Sequence, residues 1–235
     1  ANQPLVSCIG TSLALGTTEV SLLQMVNAYQ TFADNGQHVS SQGILDIWDN
    51  YGHNFYHFDP NHIQSLQVLS PQISYMMTSV LSDEASRRLE FESDHDLSFW
   101  DWDPTCSYAQ TCQQHEVAAK TGTTDDFKDN WTLGYTPDVV VGVWTGNAND
   151  EAFGQSVIGI TGAAPIWHSI IERVSGKCNV DTDGIPCGNI NLKALGLGTQ
   201  PLFTIPSGIH KQCVNTTNGL MGTGGSCDWI LNGQD

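Results

Sequence analysis

The stretch from Val117 to Trp144 constrains the fold more than any other part of this 235-residue sequence. Three segments in it have the composition of strands, and each is followed by turn residues before the next begins. The segments are Val117 to Lys120, the alternating Trp131, Leu133 and Tyr135, and Val139 to Trp144, which is apolar on both faces. These connections are shorter than the crossover that parallel strands need, so the strands run antiparallel. The pattern therefore predicts a three-stranded antiparallel sheet.

Helical periodicity appears on both sides of this sheet along the chain, with apolar residues spaced three and four apart. Ser21-Leu22-Leu23-Gln24 has the capping-box pattern, and Ser70 before Pro71 is typical of a second helix start. The predicted helices follow Ser21 as far as Asn35-Gly36, follow Ser70 to Leu81, and run from Pro165 until Gly176. An antiparallel sheet flanked by helices, an α/β (α+β) fold, is the predicted class.

A β-hairpin is predicted between the first two helices. Ile44 to Trp48 and Phe55 to Phe58 flank the turn residues Asp49-Asn50-Tyr51-Gly52. From Arg88 to Gln114 the periodicity gives way to acidic and aromatic residues, which indicates an irregular surface segment. The expected order is therefore helix, hairpin, helix, irregular segment, sheet and helix.

The composition changes near Gly176. The last 60 residues hold 11 of the 23 glycines and four of the seven cysteines, so we expect a loop-rich tail there rather than a regular core. This divides the chain into 1–176 and a disulfide-stapled extension, 177–235.

Six of the seven cysteines fall into close pairs, which favours disulfides and an oxidising compartment. The predicted bridges are Cys106 to Cys112, Cys178 to Cys187 and Cys213 to Cys227. None of these pairs has the C-x-x-C spacing of a zinc knuckle or a redox site. Cys8 is left over, either as a buried thiol or as half of another bridge.

A formal charge of −17, from 25 acidic and 8 basic residues, repels polyphosphates and excludes nucleic acid as a partner. The longest apolar run, Val139 to Trp144, is far below the ~20 residues that cross a bilayer. We therefore expect any membrane anchor to lie upstream of Ala1.

Lys120-Thr121-Gly122-Thr123 ends the first predicted strand of the sheet. Gly122 has no side chain, so a substrate backbone could lie against the strand, while the Thr121 and Thr123 hydroxyls could bind a carboxylate that Lys120 attracts. Four residues alone are weak support, because a strand that ends at a glycine turn beside an exposed lysine gives the same pattern.

The surroundings of these four residues resemble class A penicillin-binding protein transpeptidases. Landmarks similar to those of that family occur in the same order along roughly residues 10–176. They are Ser12 to Gly16, Glu19-Val20, Asn27-Ala28-Tyr29, Leu69-Ser70-Pro71, Val80 to Asp83, Ala118 to Thr124, Asp129-Asn130-Trp131, Gly134 to Asp138, Gly142-Val143-Trp144 and Ala163 to Trp167.

The resemblance implies a D,D-transpeptidase that cross-links peptidoglycan stem peptides outside the cytoplasmic membrane and is acylated by β-lactams. It implies substrate contacts from Lys120, Thr121, Gly122, Thr123 and Thr124. It also implies that Lys120 and Thr123 belong to the catalytic machinery, with the Thr123 N–H as one of two oxyanion donors. No cofactor or metal is implied.

The sequence also departs from the family. It contains neither the S-x-x-K motif of the nucleophile nor the S-x-N motif. Because both precede this region in the family, we expect the N-terminal part of the fold to be absent and the chain to be inactive alone. We also expect the strand from Val139 to Trp144 to be an apolar sheet edge that is covered by another copy of the chain or by a segment of the same chain.

Two other functions remain open: a non-catalytic wall-binding module and a serine β-lactamase relative. Two segments that contain histidines could bind a metal ion, but each is better explained as part of the solvent-exposed surface. His53 and His57 lie about 13 Å apart along a strand, and Asp94-His95-Asp96 is an acidic loop in an acidic protein.

Overall fold

The computed structural model describes residues 16, 18–91, 95–99, 116–154, 156–174, 202–218, 220–222 and 225–233. Its helices are α1 (Leu22–Ala33), α2 (Pro71–Ser82), α3 (Glu84–Phe91) and α4 (Ala164–Val174). Its strands are β1 (Gln37–Val39), β2 (Asp46–Trp48), β3 (Asn54–His57), β4 (Ser65–Gln67), β5 (Ala118–Thr123), β6 (Asp129–Tyr135), β7 (Val140–Gly146), β8 (Ile209–Val214), β9 (Met221–Gly222) and β10 (Ser226–Leu231). Short 3-10 turns occupy Pro60–His62 and Asp125–Phe127.

The predicted antiparallel sheet is present as β5-β6-β7, with β6 in the centre. Lys120 lies opposite Leu133, and Leu133 lies opposite Gly142. The register is continuous along both pairs of strands, so neither contains a bulge. Helices cover both faces of the sheet, which confirms the predicted fold class.

One face of the sheet forms the main core with α4. Trp167 and Ile171 of α4 are fully buried among apolar residues of the sheet and of residues 95–99. The Trp167 indole donates to the Val141 carbonyl at 3.1 Å. The buried members of this core are Leu97, Phe99, Val117, Ala119, Val143, Ala163, Ala164, Trp167 and Ile171.

Helices α1 and α2 pack on the opposite face. A Cβ at Gly142 would lie 2.6 Å from a methyl of Val26, so α1 rests directly on the β7 backbone. The Thr78 hydroxyl of α2 donates to the Ser74 carbonyl, so the Tyr135 hydroxyl donates to Thr78 at 2.8 Å. Burial raises the pKa of Tyr135. This bond ties α2 to the end of β6.

The predicted caps set the helix starts. Ser21 and Gln24 form a reciprocal capping box, and the Ser70 hydroxyl accepts from the Ile73 N–H ahead of α2. Beyond α1 the chain turns sharply at Asn35 and Gly36, where φ is +53° and +86°. A Cβ at Gly36 would lie 2.1 Å from the Leu69 carbonyl oxygen, so a side chain is excluded there.

The predicted hairpin is β2 with β3, and both of its strands are exposed. Its two histidines face carboxylates rather than each other. His53 Nδ1 lies 2.8 Å from Asp49, and His57 Nδ1 lies 2.8 Å from Asp46.

Helix α3 overlaps the segment predicted to be irregular from Arg88, so that boundary was placed too early. Asp83 accepts from the Ser86 N–H, three residues further along, and Glu84 pairs with Arg88 at 3.3 Å. A cap followed by an i, i+4 ion pair is a helix signal that apolar periodicity alone does not detect.

The described part of the tail is a sheet in the order β10-β8-β9, where sequence reasoning expected loops. Cys213 and Cys227 face each other across β8 and β10, and the predicted disulfide between them is present. Trp229 packs edge-on against Tyr75 of α2, with ring centroids 5.4 Å apart. The other two predicted bridges, Cys8 and Asp94 lie outside the described residues.

Candidate active site

Among the strands that the structure describes, β5 pairs only with β6, so one side of its backbone is paired and the other is open. The Thr124 N–H donates to the Asp129 carbonyl at 3.0 Å. In an antiparallel ladder the paired groups alternate, so Lys120 and Gly122 face β6 with their N–H and C=O groups. The peptide groups of Thr121 and Thr123 therefore point away from the sheet, at its open edge.

The side chains of β5 divide between the two faces. Ala119 belongs to the core beneath α4, so Thr121 and Thr123 lie on the α4 face, while Lys120 and Gly122 lie on the other. Lys120 is exposed, and its ammonium donates to the Thr121 carbonyl at 2.6 Å. The cation thus lies along the open edge beside the two threonines.

Gly122 is not required by packing within the described part of the chain. A Cβ there would meet only the Trp131 Cβ, at the ordinary contact distance of 3.5 Å. The missing side chain therefore leaves space over the strand rather than relieving a clash.

The hydroxyls of Thr123 and Thr124 have different partners. The Thr123 hydroxyl accepts from the Gly159 N–H at 2.9 Å. The Thr124 hydroxyl donates to the Asp129 carboxylate at 3.1 Å and accepts from the Asp129 N–H at 2.9 Å. Thr124 thus uses its hydroxyl to hold the β5–β6 turn. The Thr123 hydroxyl is not part of that turn and bonds to the loop before α4 instead.

The turn after β5 is held by contacts beyond its own residues. Asp126 and Phe127 have positive φ angles of 61° and 56°. Phe127 accepts from the Phe153 N–H at 2.8 Å, and Lys128 pairs with Asp150 at 2.7 Å. These bonds fix the end of β5 at which the Thr123 N–H emerges.

Sequence reasoning missed the contribution of the loop before α4. Gly159 of that loop contacts the α4 face of β5 through the Thr123 hydroxyl. Its carbonyl accepts from the hydroxyl of the fully buried Thr132 at 3.2 Å. The only local signal was the pair of glycines, Gly159 and Gly162, just ahead of the recognised Ala163-Ala164-Pro165.

A cavity of about 340 Å³ lies at the other end of the sheet, by the β6–β7 turn. Tyr75, Asp138 and Phe203 are among its lining residues. Because Tyr135 pairs with Ala118 and Asn130 with Thr123, the two ends are about 17 Å apart at ~3.3 Å per residue. The cavity is therefore separate from the lysine and threonines.

Within the described ranges, no group of three His, Cys, Asp or Glu side chains is arranged to hold a metal ion. His95 Nε2 instead lies 3.3 Å from Glu84. The helices that the structure describes include none long and apolar enough to cross a membrane.

An edge strand carrying a lysine and two threonines, in a sheet covered by helices on both faces, is the arrangement expected from the resemblance to penicillin-binding transpeptidases. The profile of the penicillin-binding protein transpeptidase domain matches residues 6–171. The chain therefore belongs to the penicillin-binding protein transpeptidase family, and the predicted resemblance is confirmed.

Two curated relatives show how much of such a protein the chain represents. It is 30% identical over 187 residues to penicillin-binding protein 1A of Neisseria lactamica, which is 77% of this chain and 21% of the relative. It is 30% identical over 200 residues to penicillin-binding protein 1A of Aquifex aeolicus, covering 83% of this chain and 25% of that protein. The chain thus spans a fifth to a quarter of these relatives.

Two solved structures share the fold. Penicillin-binding protein 1A from Haemophilus influenzae superposes with a TM-score of 0.68 at 19% identity, over 94% of this chain and 33% of the other. Penicillin-binding protein PonA1 from Mycobacterium tuberculosis gives 0.54 at 23% identity, over 68% of this chain and 39% of the other.

Proposed function

We propose that this chain supplies one wall of the active site of a serine D,D-transpeptidase. A serine oxygen attacks the carbonyl carbon of the penultimate D-alanine of a stem peptide. The C–N bond to the terminal D-alanine breaks, and the serine proton passes to the departing amine. The amine of a second stem peptide then attacks the ester, loses a proton and restores the serine hydroxyl.

The open edge of β5 is the observation that carries this proposal. It places the Lys120 cation, two threonine side chains and the outward-facing peptide groups of Thr121 and Thr123 along one line. A terminal carboxylate favours a nearby cation and hydroxyl donors, and an oxyanion favours an N–H such as that of Thr123. Lys120, Thr121 and Thr123 are the proposed ligands, with Gly122 leaving space for the peptide backbone.

Thr124 is the weakest of the proposed substrate contacts, because its hydroxyl is bonded on both sides to Asp129. A role for it would require that the turn open. We therefore assign Thr124 to the support of β5 in this proposal.

The nucleophile is proposed to lie outside this chain, because no serine in the sequence has the S-x-x-K spacing. A related structure supports the ligand class: PonA1 from M. tuberculosis has been solved in complex with penicillin V. The proposed chemistry uses amino-acid side chains and needs no cofactor.

The proposed place of action is outside the cytoplasmic membrane, with the anchor upstream of this chain. The Cys213–Cys227 disulfide supports this location, since such bridges persist in oxidising compartments.

We also propose that the β7 edge pairs with another strand. The register with β6 directs the peptide groups of Val140, Gly142 and Trp144 to the side of β7 that no described strand occupies, and Trp144 is 42% exposed. The isolated chain is expected to self-associate in sedimentation experiments. A monomer whose β7 amide hydrogens exchange rapidly, as at a bare edge, would contradict this, whereas a monomer with protected β7 amides would indicate that a segment of the same chain covers the edge.

Gel labelling with a fluorescent penicillin tests the main proposal. The 235-residue chain should form no covalent adduct, and a longer protein that includes the upstream S-x-x-K serine should. In the longer protein, Lys120→Ala or Thr123→Val should lower the acylation rate roughly 10²-fold, the scale of losing one such electrostatic contact. Lys211→Ala, which removes a charge from the tail sheet, is the matched control.

Two outcomes would overturn the proposal. An unlabelled longer protein would instead favour the non-catalytic wall-binding module, and an adduct on the 235-residue chain would reveal another nucleophile. Rapid release of the bound penicillin as hydrolysed product would indicate the β-lactamase alternative.

A further inference from the structure

The loop that precedes α4 closes over the α4 face of β5 at Gly159. A Cβ on Gly159 would lie 2.8 Å from the Gly122 carbonyl oxygen and 2.9 Å from the Thr121 Cβ. These distances leave no room for a side chain. Gly159 is thus in direct backbone contact with the strand that carries the proposed carboxylate site.

Both peptide groups of Gly159 are held by bonds to other elements. Its N–H donates to the Thr123 hydroxyl at 2.9 Å, and its carbonyl accepts from the Thr132 hydroxyl at 3.2 Å. The same carbonyl also accepts from the Ala164 N–H at 3.0 Å, at the start of α4. Gly159 therefore connects threonines of β5 and β6 to the base of α4.

The bond from Gly159 fixes what the Thr123 hydroxyl can still do. A hydroxyl has one hydrogen to donate and two lone pairs to accept with. The Gly159 N–H occupies one lone pair, and among the described residues no acceptor takes the hydroxyl hydrogen. An accepted bond also polarises the O–H and strengthens the bond it donates. The hydroxyl is thus prepared to act as a donor.

We propose that Gly159 and Thr132 are positioning residues, which orient the Thr123 hydroxyl so that its hydrogen is donated to the terminal carboxylate of the substrate. This inference rests on the function proposed above. Thr132 acts through Gly159, and Gly159 acts through Thr123; neither touches the substrate.

A purely structural role for Thr132 is the competing explanation, because this residue is fully buried. The two roles differ in what they depend on. A positioning role requires a carboxylate on the ligand and a hydroxyl on Thr123. A structural role would affect every ligand, with or without either group.

The test compares benzylpenicillin with its methyl ester in the longer, serine-containing protein. Thr132→Val replaces the hydroxyl with a methyl group of similar volume and should slow acylation by benzylpenicillin roughly 10-fold, the scale of a weakened bond to a charged group. Acylation by the ester should change less than about twofold, because no carboxylate is present. The ester rate also reports whether the variant is folded. Thr132→Ser should restore the benzylpenicillin rate.

A double variant provides the second measurement. If Thr132 acts through Thr123, Thr132→Val should cause no further loss in a Thr123→Val background. Gly159→Ala should slow benzylpenicillin more than the ester, and Gly154→Ala is its control, since a Cβ there meets nothing within 4 Å.

Equal losses for the acid and the ester, or additive losses in the double variant, would overturn the positioning role and leave the proposed function intact. If the unmodified longer protein is labelled by neither compound, the proposed function and this inference are both wrong.

Discussion

Gly134 shows how a single missing side chain sets the distances around β6. A Cβ at this position would lie 2.4 Å from both the Ala118 carbonyl oxygen and the Trp167 ring. We expect Gly134→Ala to lower the free energy of unfolding by about 1–3 kcal/mol, the usual result of overpacking a core.

Urea unfolding followed by tryptophan fluorescence measures this change. Gly43→Ala is the control, because a Cβ there meets nothing within 4 Å, and its effect should stay within about 0.5 kcal/mol. Equal effects of the two substitutions would show that α4 can move away from β6 without loss.

Individual residues of the site differ in how far sequence predicts them. Lys120 and Thr123 were recognisable because their spacing is local and their chemistry is distinctive. The role of Gly159 was not, because it depends on a contact between positions 36 residues apart. Nothing local to a glycine indicates which distant backbone it approaches.

At the scale of one element, helix α3 makes a pH-sensitive contact between its first residue, Glu84, and His95 in the segment that follows it. The His95 side chain is 3% exposed and lies 3.3 Å from Glu84. Burial lowers the pKa of His95; Glu84 and Asp96 oppose this, and Arg87 and Arg88 lower the pKa further. The histidine therefore takes up a proton less readily in the folded chain than in the unfolded one.

The direction of the pH effect follows from this. As pH falls through about 6.5, the unfolded chain binds the proton first, so folding stability declines. His95→Gln should flatten the dependence of unfolding free energy on pH between about 7 and 5. The exposed His62→Gln is the control, and an unchanged slope in the His95 variant would contradict the expected effect.

The elements themselves were predictable where their periodicity was long or their turns were short. Helices α1, α2 and α4 repeat their apolar positions over three turns, and β5 to β7 are joined by short turns. Strands β8 to β10 were missed because their apolar residues do not alternate strictly with polar ones and because glycines interrupt the segments between them. Pairing and a disulfide, rather than apolar periodicity, define that sheet.

At the scale of the whole molecule, the disulfide links the tail sheet into one unit that packs on α2. Cys213 and Cys227 are separated by 14 residues, and closing a loop of this size contributes roughly 3 kcal/mol in the chain-entropy description. Reduction should therefore open β8 to β10 while the central sheet stays folded.

Limited trypsin digestion under reducing and non-reducing conditions measures this. Cleavage after Lys211 in β8 should accelerate on reduction, whereas cleavage after Lys120 should not. Peptide mapping without reduction should also recover Cys213 linked to Cys227. Recovery of Cys213 linked to Cys178 would show that the pairing is wrong.

The open edge of β5 has one further consequence, for the exchange of amide hydrogens with deuterated solvent. The N–H groups of Lys120 and Gly122 are bonded to β6, while those of Thr121 and Thr123 are directed outward. Protection should therefore alternate along a single strand, slow and fast at successive residues. Whatever pairs with this edge as an added strand would remove the alternation, so the exchange pattern of β5 reports directly whether its edge is occupied.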